Sequence, residues 1–513
     1  MLASSIDSSL ETLHTKLFEE FFQSRMLLAR TRNKISSRAY SLPNEVLADI
    51  FMNVVYTPGP HEFYVPSMKD GLRRMFGRLY SLLAVCTTWR NVGLGLSKLW
   101  SVIPLGDKKT IQPTPEATSL VLQQSHAWNS GHRPLHLAAV LSNRYTSVPP
   151  LLEERAPRFT SINIEARHKS PAMNITTLLE SLIKTQTPSI LSELSIHQYH
   201  DLMEDELRPC LPQVHEYLGF RMSAQERDLF TTLIGSLATF RLKRANIHWN
   251  TITFSDKLVN LHLQSVVLGD PTKLNEFLHA LESAPELRDV KLISVVAFIP
   301  SSRHGNPPPV KISLPKLQSL LLHDLTFNIV KHVLASISPG SHRLKVGMSG
   351  KSYYNCLPNG KLDKSDSQPI LSLLNRSGID TLFLTPNDCD SRYVDYDRLH
   401  TILKYLPCLK TLIMSDWKWE RGSIPALERP VSGAPFPTLS EIYITCGFVY
   451  EVNLLPRIAA SHSLQTLVLD HHSSLALTFD GAEHTIQELK SRVPDFRLVK
   501  SIEDFSHEVW PLW

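Results

Sequence analysis

A leucine-based pattern recurs along most of this 513-residue chain and restricts it to a repeat architecture. Its template is Leu-x-x-Leu-x-Leu, in which leucine or a substitute points inward from a short strand and the intervening residues point outward. Segments starting at 258, 287 and 317, and at 379, 409 and 439, lie 29 or 30 residues apart. This period predicts an α/β fold, a leucine-rich-repeat solenoid of alternating strand, turn and helix. The template matches at 159–164, 191–196, 237–242, 258–263, 287–292, 317–322, 379–384, 409–414, 439–444 and 464–469.

The predicted array departs from a regular solenoid in two ways. The position three residues past the last template leucine, which would hold an asparagine ladder, carries asparagine at Asn387. Breaks fall at 301–309 and 346–368, and we expect the second, polar stretch to loop out of the array. A conventional α/β domain is the alternative, but the periodic strands are short and closely alike. Other ladder positions are occupied by Val266, Val295, Leu325 and Trp417.

A small helical unit is predicted ahead of the repeats. The chain reads S-L-P-N-E-V-L-A-D-I-F from Ser41, where Pro43 suits a first helical turn and Glu45 lies near the positive end of the helix dipole. An apolar stripe follows at helical spacing, and two further helical runs each carry an apolar face. Three helices this short have little core, so they need a neighbour or a partner. The apolar faces are Val46, Leu47, Ile50, Phe51 and Val54; Leu72, Phe76, Leu79, Leu83 and Cys86; and Trp89, Val92, Leu96, Leu99 and Trp100.

This helical unit resembles the F-box, in the F-box-like form common in basidiomycete fungi. That form has an extra loop between the first two helices, here Thr57 to Gly71, which the shorter animal pattern lacks. The segment after the box in the same proteins is similar to residues 118–137, which end in a strand from Leu135 to Val140. The resemblance covers 41–137 and is carried by Leu42, Pro43, Glu45, Val46, Leu47, Ile50, Phe51, Leu82, Ala84, Val85, Cys86, Trp89, Arg90, Leu99 and Trp100.

The resemblance implies a function in protein recognition. An F-box docks on a small Skp-type adaptor, which bridges to a cullin, while the repeats hold an unidentified target protein. The chain would then be a non-catalytic substrate adaptor of a Skp/cullin/F-box ubiquitin ligase. The alternative is a leucine-rich-repeat scaffold without a ubiquitin role, in which the helical unit caps the solenoid and buries its apolar stripe. The residues implied in adaptor docking are Leu42, Pro43, Glu45, Leu47, Ile50, Phe51, Val85, Cys86 and Trp89.

Outward positions of the repeats are the candidate target-binding residues, because consecutive strands of a solenoid form a continuous concave surface. The C-terminal half of this surface is apolar, so we expect an exposed patch that binds a protein. The chain's own tail, which ends F-S-H-E-V-W-P-L-W with Trp510 and Trp513, is an alternative cover for the patch. The central outward residues are His262, Lys291, Leu321, Phe383, Ile413, Tyr443 and Val468.

A further helix is predicted at the N-terminus, over about residues 6–31, from the spacing of Ile6, Leu10, Leu13, Leu17 and Phe21. It is short for a coiled coil, so packing against the helical unit is favoured over self-association. The sequence thus divides into a helix and linker at 1–40, the F-box-like unit at 41–105, and the solenoid with its tail at 106–513.

Composition and motifs argue against other classes of function. The net charge is only +4, without a basic cluster interleaved with aromatic residues, so we expect no nucleic-acid partner. Catalytic signatures and zinc spacings of the six cysteines are absent, so we expect neither an enzyme nor a cofactor. The pair His471-His472 and the acidic segment 388–397 are interpreted as surface rather than metal sites. Without a signal sequence or a long apolar run, we expect a cytoplasmic or nuclear protein with no membrane partner.

Overall fold

The computed structural model describes most of the chain. The described residues are 2–36, 42–57, 67–106, 121, 134–142, 150–167, 171–184, 190–199, 211–299, 308–338, 340, 342–385, 393–394, 396–415, 417–419, 422, 424–430, 435–445, 448–449, 451–470 and 482–499. This part contains thirteen α-helices and several short 3₁₀ helices, one of them at Ser97–Trp100. The helices are α1 (Leu2–Ser36), α2 (Asn44–Tyr56), α3 (Met68–Val85), α4 (Thr87–Gly95), α5 (Pro150–Arg155), α6 (Pro171–Lys184), α7 (Ala224–Gly235), α8 (Pro271–Glu282), α9 (Phe327–Ser336), α10 (Ser367–Arg376), α11 (Tyr396–Lys404), α12 (Leu455–His462) and α13 (Ala482–Arg492).

The strands are short and distributed along the chain. They are β1 (Val102–Gly106), β2 (Leu135–Leu141), β3 (Phe159–Arg167), β4 (Glu193–Tyr199), β5 (Thr239–Lys243), β6 (Asn260–Gln264), β7 (Val267–Gly269), β8 (Asp289–Ile293), β9 (Val296–Ala297), β10 (Ser319–His323), β11 (Arg343–Met348), β12 (Tyr354–Cys356), β13 (Leu362–Lys364), β14 (Thr381–Leu384), β15 (Tyr393–Val394), β16 (Thr411–Ser415), β17 (Lys418–Trp419), β18 (Glu441–Thr445), β19 (Phe448–Val449), β20 (Thr466–Asp470) and β21 (Asp495–Val499).

Fourteen of these strands form one parallel sheet that follows the chain order, β1-β2-β3-β4-β5-β6-β8-β10-β11-β14-β16-β18-β20-β21. Each strand therefore pairs with the next repeat, which is the arrangement of a solenoid. All ten template segments lie on strands of this sheet, and their template side chains are buried in one continuous core. The chain is thus a mixed α/β repeat solenoid, as predicted from the period.

The sheet also contains four strands outside the template, namely β1, β2, β11 and β21, of which β2 was predicted from the segment that follows the helical unit. In β11 the inward positions are filled by Leu344, Val346 and Met348, all buried. The expectation that 346–368 loops out is therefore wrong at its start. Cys356 in the middle of this stretch is also buried, and its carbonyl accepts from the backbone N–H of Ile299 at 2.8 Å, whereas Leu362–Lys364 are exposed.

A left-handed turn ends four successive strands and replaces the expected asparagine ladder. The turn residues have φ between 49° and 58°, and each N–H donates to a carbonyl of the neighbouring strand at 2.8–3.1 Å. The next residue of each turn points into the core, which explains why Val266, Val295 and Leu325 stand at ladder positions. The turn residues are Arg244, Ser265, Ser294 and Asp324.

The three predicted helices ahead of the repeats are α2, α3 and α4. Helix α4 approaches the other two closely at Gly93, where an added Cβ would lie 2.4 Å from Cδ2 of Leu83. The indole N–H of Trp100 donates to the carbonyl of Gly93 at 2.9 Å. Leu83 and Trp100 are both buried, so the helical unit has a packed interior.

The helical unit is joined to the solenoid rather than separated from it. The N–H of Met68 at the start of α3 donates to Oε2 of Glu165 on β3 at 3.0 Å, and both residues are buried. The apolar core is continuous from Phe51 through the repeats. Strand β1 begins at Val102, so the predicted boundary between 105 and 106 falls inside the first strand of the sheet.

Helix α1 is longer than predicted, and nothing in the described part of the chain covers its large apolar side chains. Its apolar residues are 40–82% exposed, from Met26 at the lower limit to Ile35 at the upper. The favoured expectation, that this helix covers the helical unit, is therefore wrong.

Candidate protein-binding surfaces

The first candidate surface is the outer side of α2 together with the turn between α3 and α4, which we call the α2 face. Helical spacing divides α2 in two. Leu47, Phe51 and Val55 point inward and are at most 3% exposed, whereas Val46 and Val54 are each 41% exposed. The apolar stripe of α2 is therefore partly exposed, as the ligase-adaptor interpretation requires.

The nine residues implied in adaptor docking are not equally accessible. Leu47 and Phe51 are buried, so they hold α2 in place but cannot touch a partner from this position. Pro43, Glu45 and Val85 are exposed, with Val85 at 58%. Val46 and Val54 are absent from the predicted docking set, although the spacing of α2 already places them beside Ile50. The half-buried members are Leu42, Ile50, Cys86 and Trp89.

Trp89 lies on α4 and its ring packs against Phe51 of α2. Its ring centroid lies 5.2 Å from that of Phe51, with the planes tilted by 58°. Its backbone N–H donates to Sγ of Cys86 at 3.5 Å, so Cys86 caps the start of α4. Cys86 thus orients Trp89 at the edge of the exposed stripe.

The second candidate surface is the side of the main sheet turned away from the helices, which we call the strand face. Its outward residues lie in two rows, two residues apart along each strand. His262, Lys291 and Leu321 are paired neighbours in the first row, which continues to Lys345. Phe383, Ile413, Tyr443 and Val468 are paired neighbours in the second row, which begins at Glu165 and includes His197, Lys243, Gln264, Ile293, His323 and Gly347.

The seven predicted target-binding residues therefore do not form one line across the sheet. The reason lies in β11, where three inward residues alternate with outward ones, whereas its neighbours β10 and β14 each carry two inward template residues. Val346, the counterpart of Leu322, pairs with Leu382, so the template moves by two residues between β11 and β14. The period of the sequence alone does not reveal this change of register.

Between β8 and β18 the strand face carries a packed group that we call the apolar cluster, formed by Ile293, Leu321, Phe383 and Ile413 with Tyr443 against it. The four aliphatic and phenyl side chains are only 0–6% exposed. Val468, further along the second row, is 2% exposed. The expectation of an exposed apolar patch is therefore wrong. Neighbouring strands lie about 4.8 Å apart, so large outward side chains on adjacent strands bury one another.

One glycine makes room inside this arrangement. A Cβ added to Gly347 would lie 1.8 Å from Nδ1 of His323, whose ring covers the glycine. The same ring meets Phe383 edge-on, with centroids 6.1 Å apart. Gly347 on β11 thus leaves room for the His323 ring of β10 to reach across it to Phe383 on β14. The predicted tail contacts of Trp510 and Trp513 lie outside the described residues.

The N-terminal half of the strand face, from β3 to β11, carries charged side chains and is here named the charged half. Its cations are Arg167, Arg241, Lys243, Lys291 and Lys345, and its carboxylates are Glu165, Glu193 and Asp289. Arg167 pairs with Glu165 at 2.6 Å, and Arg241 lies 3.6 Å from Glu193. Lys291 is exposed, Lys345 is half-buried and His262 is buried.

The local electrostatics of the charged half are positive. Burial, together with the nearby charges of Lys243, Arg244 and Arg167, lowers the pKa of His197 to about 3. The pKa of Lys291 is also lowered, first by partial desolvation of its ammonium group, although the residue as a whole is exposed, and then by the charge of Lys345. A cation whose pKa is lowered by a neighbouring cation lies at positive potential, which favours a bound anion.

The metal sites considered from the sequence fall largely outside the described residues. Among the residues that the structure describes, no three His, Cys, Asp or Glu side chains are grouped so that they could hold a metal ion. His471, His472 and residues 388–392 lie outside that part. A search of the described helices finds none with the length and apolar character needed to cross a membrane.

Comparison with known proteins gives little beyond the chain's own geometry. No family model matches the sequence, and no curated protein matches it. The solved structure of a leucine-rich repeat-containing protein, LegL7 from Legionella pneumophila, is similar at a TM-score of 0.30 and 12% identity, over 78% of this chain and 88% of that one. A TM-score this low assigns no fold, so the assignment to the repeat solenoids rests on the fourteen-stranded parallel sheet described above.

Proposed function

We propose that this chain is the substrate receptor of a Skp/cullin/F-box ubiquitin ligase. The α2 face would dock on the Skp-type adaptor, and through it on a cullin, while the strand face holds a target protein. In this role the chain itself performs no catalysis and needs no cofactor. It would act in the cytoplasm or nucleus, where this machinery operates.

The observation that carries the proposal is the partly exposed apolar stripe on α2. Val46 and Val54 are each 41% exposed, and Val85 is 58% exposed. Ile50, four residues from each of the two valines on α2, is half-buried. The inward side of the same helix is fully packed, so the exposed residues are not needed for its core. Apolar side chains grouped on one small unit in this way are typical of a docking surface.

The second candidate function is a protein-binding scaffold in which the helical unit serves only as a solenoid cap. The buried hydrogen bond from Met68 to Glu165 and the continuous apolar core favour it, because both fasten the helices to the first repeats. A cap of this kind would not need exposed apolar residues on α2. The two functions therefore differ in what the α2 face contacts.

Co-purification with a fungal Skp-type adaptor tests the proposal. The informative variant is Val46→Glu with Val54→Glu, because both side chains are already exposed and the substitutions spare the core. A carboxylate placed in an apolar interface should weaken binding at least ~10-fold. The matched control is Val214→Glu on the solenoid, where the valine is 75% exposed.

The two functions predict different results. If the ligase role is right, wild type and the control bind the adaptor, and the α2 variant melts at an unchanged temperature but does not bind. If folded wild type fails to bind, the proposal is wrong and the scaffold role is favoured. Equal binding by wild type and the α2 variant would also contradict the α2 face as the docking surface.

Within this proposal the charged half, rather than the apolar cluster, would recognise the target. Lys291 is exposed, whereas Leu321, Phe383 and Ile413 are buried against one another. The unbalanced cations favour an acidic target segment. A fluorescent polyglutamate peptide should bind wild type more weakly as salt is raised, and should bind Lys291→Glu/Lys345→Glu at least ~10-fold more weakly than wild type.

The control for this measurement is Lys361→Glu/Lys364→Glu, which makes the same change of charge on exposed residues of the β12–β13 hairpin. Peptide affinity that falls equally in both double variants would reflect net charge alone and would contradict recognition by the charged half.

A further inference from the structure

Helix α1 presents an apolar surface that nothing in the described chain covers. Its 35 residues span about 52 Å at 1.5 Å per residue. Leu10, Leu13 and Leu17 are 57–59% exposed, and Phe21 is 69% exposed. An isolated helix in water gains little from propensity alone, so most helices of this length are stabilised by packing of one face.

Seven of the apolar residues of α1 form a stripe along the whole helix. At about 100° per residue, these seven fall within an arc of about 80°, whereas Phe18, Phe22, Met26 and Leu27 lie outside it. A stripe of this spacing can serve as the seam of a two-helix pair. The stripe consists of Ile6, Leu10, Leu13, Leu17, Phe21, Leu28 and Ile35.

The charges of α1 are divided between its two ends. The N-terminal part, up to Glu20, carries Asp7, Glu11, Glu19 and Glu20 against Lys16, and the C-terminal part carries Arg25, Arg30, Arg32 and Lys34. Asp7, Glu11 and Arg32 lie on the same flank of the stripe, within an arc of about 60°. In an antiparallel pair related by a two-fold axis, each flank faces its own copy in reverse order.

We propose that two copies of this chain associate through antiparallel pairing of α1. With Ile6 opposite Ile35 of the second copy, the centre of the seam lies at Phe21, and Asp7 and Glu11 come within one helical turn of Arg32. A parallel pair would instead bring the acidic halves together. Charge complementarity along the helix thus selects a second copy as the occupant, and antiparallel as its direction.

The proposal is independent of the ligase function, since it concerns a helix that takes no part in the α2 face or the strand face. A dimer of this kind would carry two copies of each surface. It would therefore present two target-binding faces to a multivalent partner.

The mass of the full chain in solution tests this pairing. Light scattering should give twice the 58.1 kDa chain mass for wild type at micromolar concentration. Leu17→Glu/Phe21→Glu should give the monomer mass, with an unchanged melting temperature because both residues are exposed in the single chain. The control is Met26→Glu, which alters an apolar residue on the opposite side of α1 from the stripe and should leave the dimer intact.

Charge-exchange variants test the direction of pairing. Asp7→Arg/Glu11→Arg and Arg32→Glu should each weaken self-association at least ~10-fold, and an equimolar mixture of the two should recover the dimer. A parallel pair would show no weakening in Asp7→Arg/Glu11→Arg, because it exchanges one like-charge contact for another.

Two results would overturn the proposal. One is a wild-type monomer at all concentrations up to roughly 10⁻⁴ M, well above the Kd of a specific dimer. If the amides of α1 are then protected from hydrogen exchange, its cover is another part of the same chain, and if they exchange freely, its cover is a different protein. The other is a dimer that Leu17→Glu/Phe21→Glu leaves unchanged.

Discussion

The two halves of the strand face use the same scaffold for opposite purposes. In the charged half, from β3 to β11, most outward positions carry Arg, Lys, His or carboxylates, and Lys291 remains exposed. In the apolar cluster, from β8 to β16, the outward residues Ile293, Leu321, Phe383 and Ile413 pack into a second small core, so the two groups overlap between β8 and β11. The inward residues do not differ in kind between the halves, since both bury Leu, Ile or Val at the template positions. The outward positions alone therefore separate a charged surface from a packed apolar one.

This difference has an energetic meaning. Burial of a large apolar side chain contributes about 1.5–3 kcal/mol, so the apolar cluster stabilises the C-terminal repeats from the side opposite to their main core. Cations brought together in the charged half instead oppose each other, and a bound anion would relieve that cost. In a repeat array, the free energy from such burial or repulsion acts mainly on the repeat that carries it and on its neighbours.

The largest expected effect is on the apolar cluster itself. Phe383→Ala should lower the free energy of unfolding by ~3–5 kcal/mol, because the phenyl ring is 5% exposed and its loss leaves a cavity. The matched substitution in the charged half, Lys291→Ala, should stay within about 0.5 kcal/mol. Urea titration followed by circular dichroism measures both. Similar costs for the two variants would show that the halves do not differ in the way proposed.

A smaller effect is expected where the two halves meet, at Gly347. In Gly347→Ala the new Cβ would lie 1.8 Å from Nδ1 of His323, so the ring must move away from Phe383. The expected cost is ~1–3 kcal/mol. In a His323→Ala background the same substitution should cost less than half as much, and a double-mutant cycle from urea titrations measures the coupling. Equal costs in both backgrounds would exclude His323 as the cause.

The inward pattern of the solenoid could be predicted from the sequence, because alternation of apolar residues is a local property of each strand. Strand β11 was missed since its first template position is Ser341 and its later outward position is Gly347. Helices α2, α3 and α4 could likewise be predicted from the spacing of residues such as Leu47, Phe51 and Leu79, all of which are buried.

The exposure of the outward residues could not be predicted in the same way. Phe383 occupies an outward position, yet its burial depends on Leu321, Ile413 and His323, which come from other repeats. Helix α1 presents the reverse case, since Leu13 and Leu17 fit an inward stripe but are more than half exposed. Both outcomes depend on contacts between distant segments, which periodicity does not encode.

A further expected effect belongs to the charged half and depends on pH. His197 has a folded-state pKa of about 3, below its ordinary value, because of burial and then the charges of Lys243, Arg244 and Arg167. Since the unfolded chain binds the proton first, stability should fall as pH is lowered from about 6.5 toward 3, by at most ~1.4 kcal/mol per pH unit. In His197→Gln this part of the slope should be absent.

Lys243→Met sharpens the test, because the loss of one cation should raise the folded-state pKa of His197 and reduce the slope between those pH values. Urea titrations at several pH values measure all three chains. Identical slopes for wild type and His197→Gln would contradict the burial of a neutral histidine in the charged half.

The smallest expected effect concerns Asp324, which follows β10 at the boundary between the halves. Burial alone would raise the pKa of its carboxyl group, but the Lys351 ammonium and the hydroxyls of Ser294 and Ser349 outweigh it, so the pKa is lowered. The carboxylate should therefore stabilise the fold above the unfolded-state pKa of about 3.9, and this contribution should be lost as pH falls through the lower folded-state value. Asp324→Asn keeps a residue that tolerates φ 52° and should cost ~1 kcal/mol at pH 7. Thermal unfolding of both chains across the pH range measures this difference, and a difference that does not shrink in acid would mean that the charge of Asp324 is not its source.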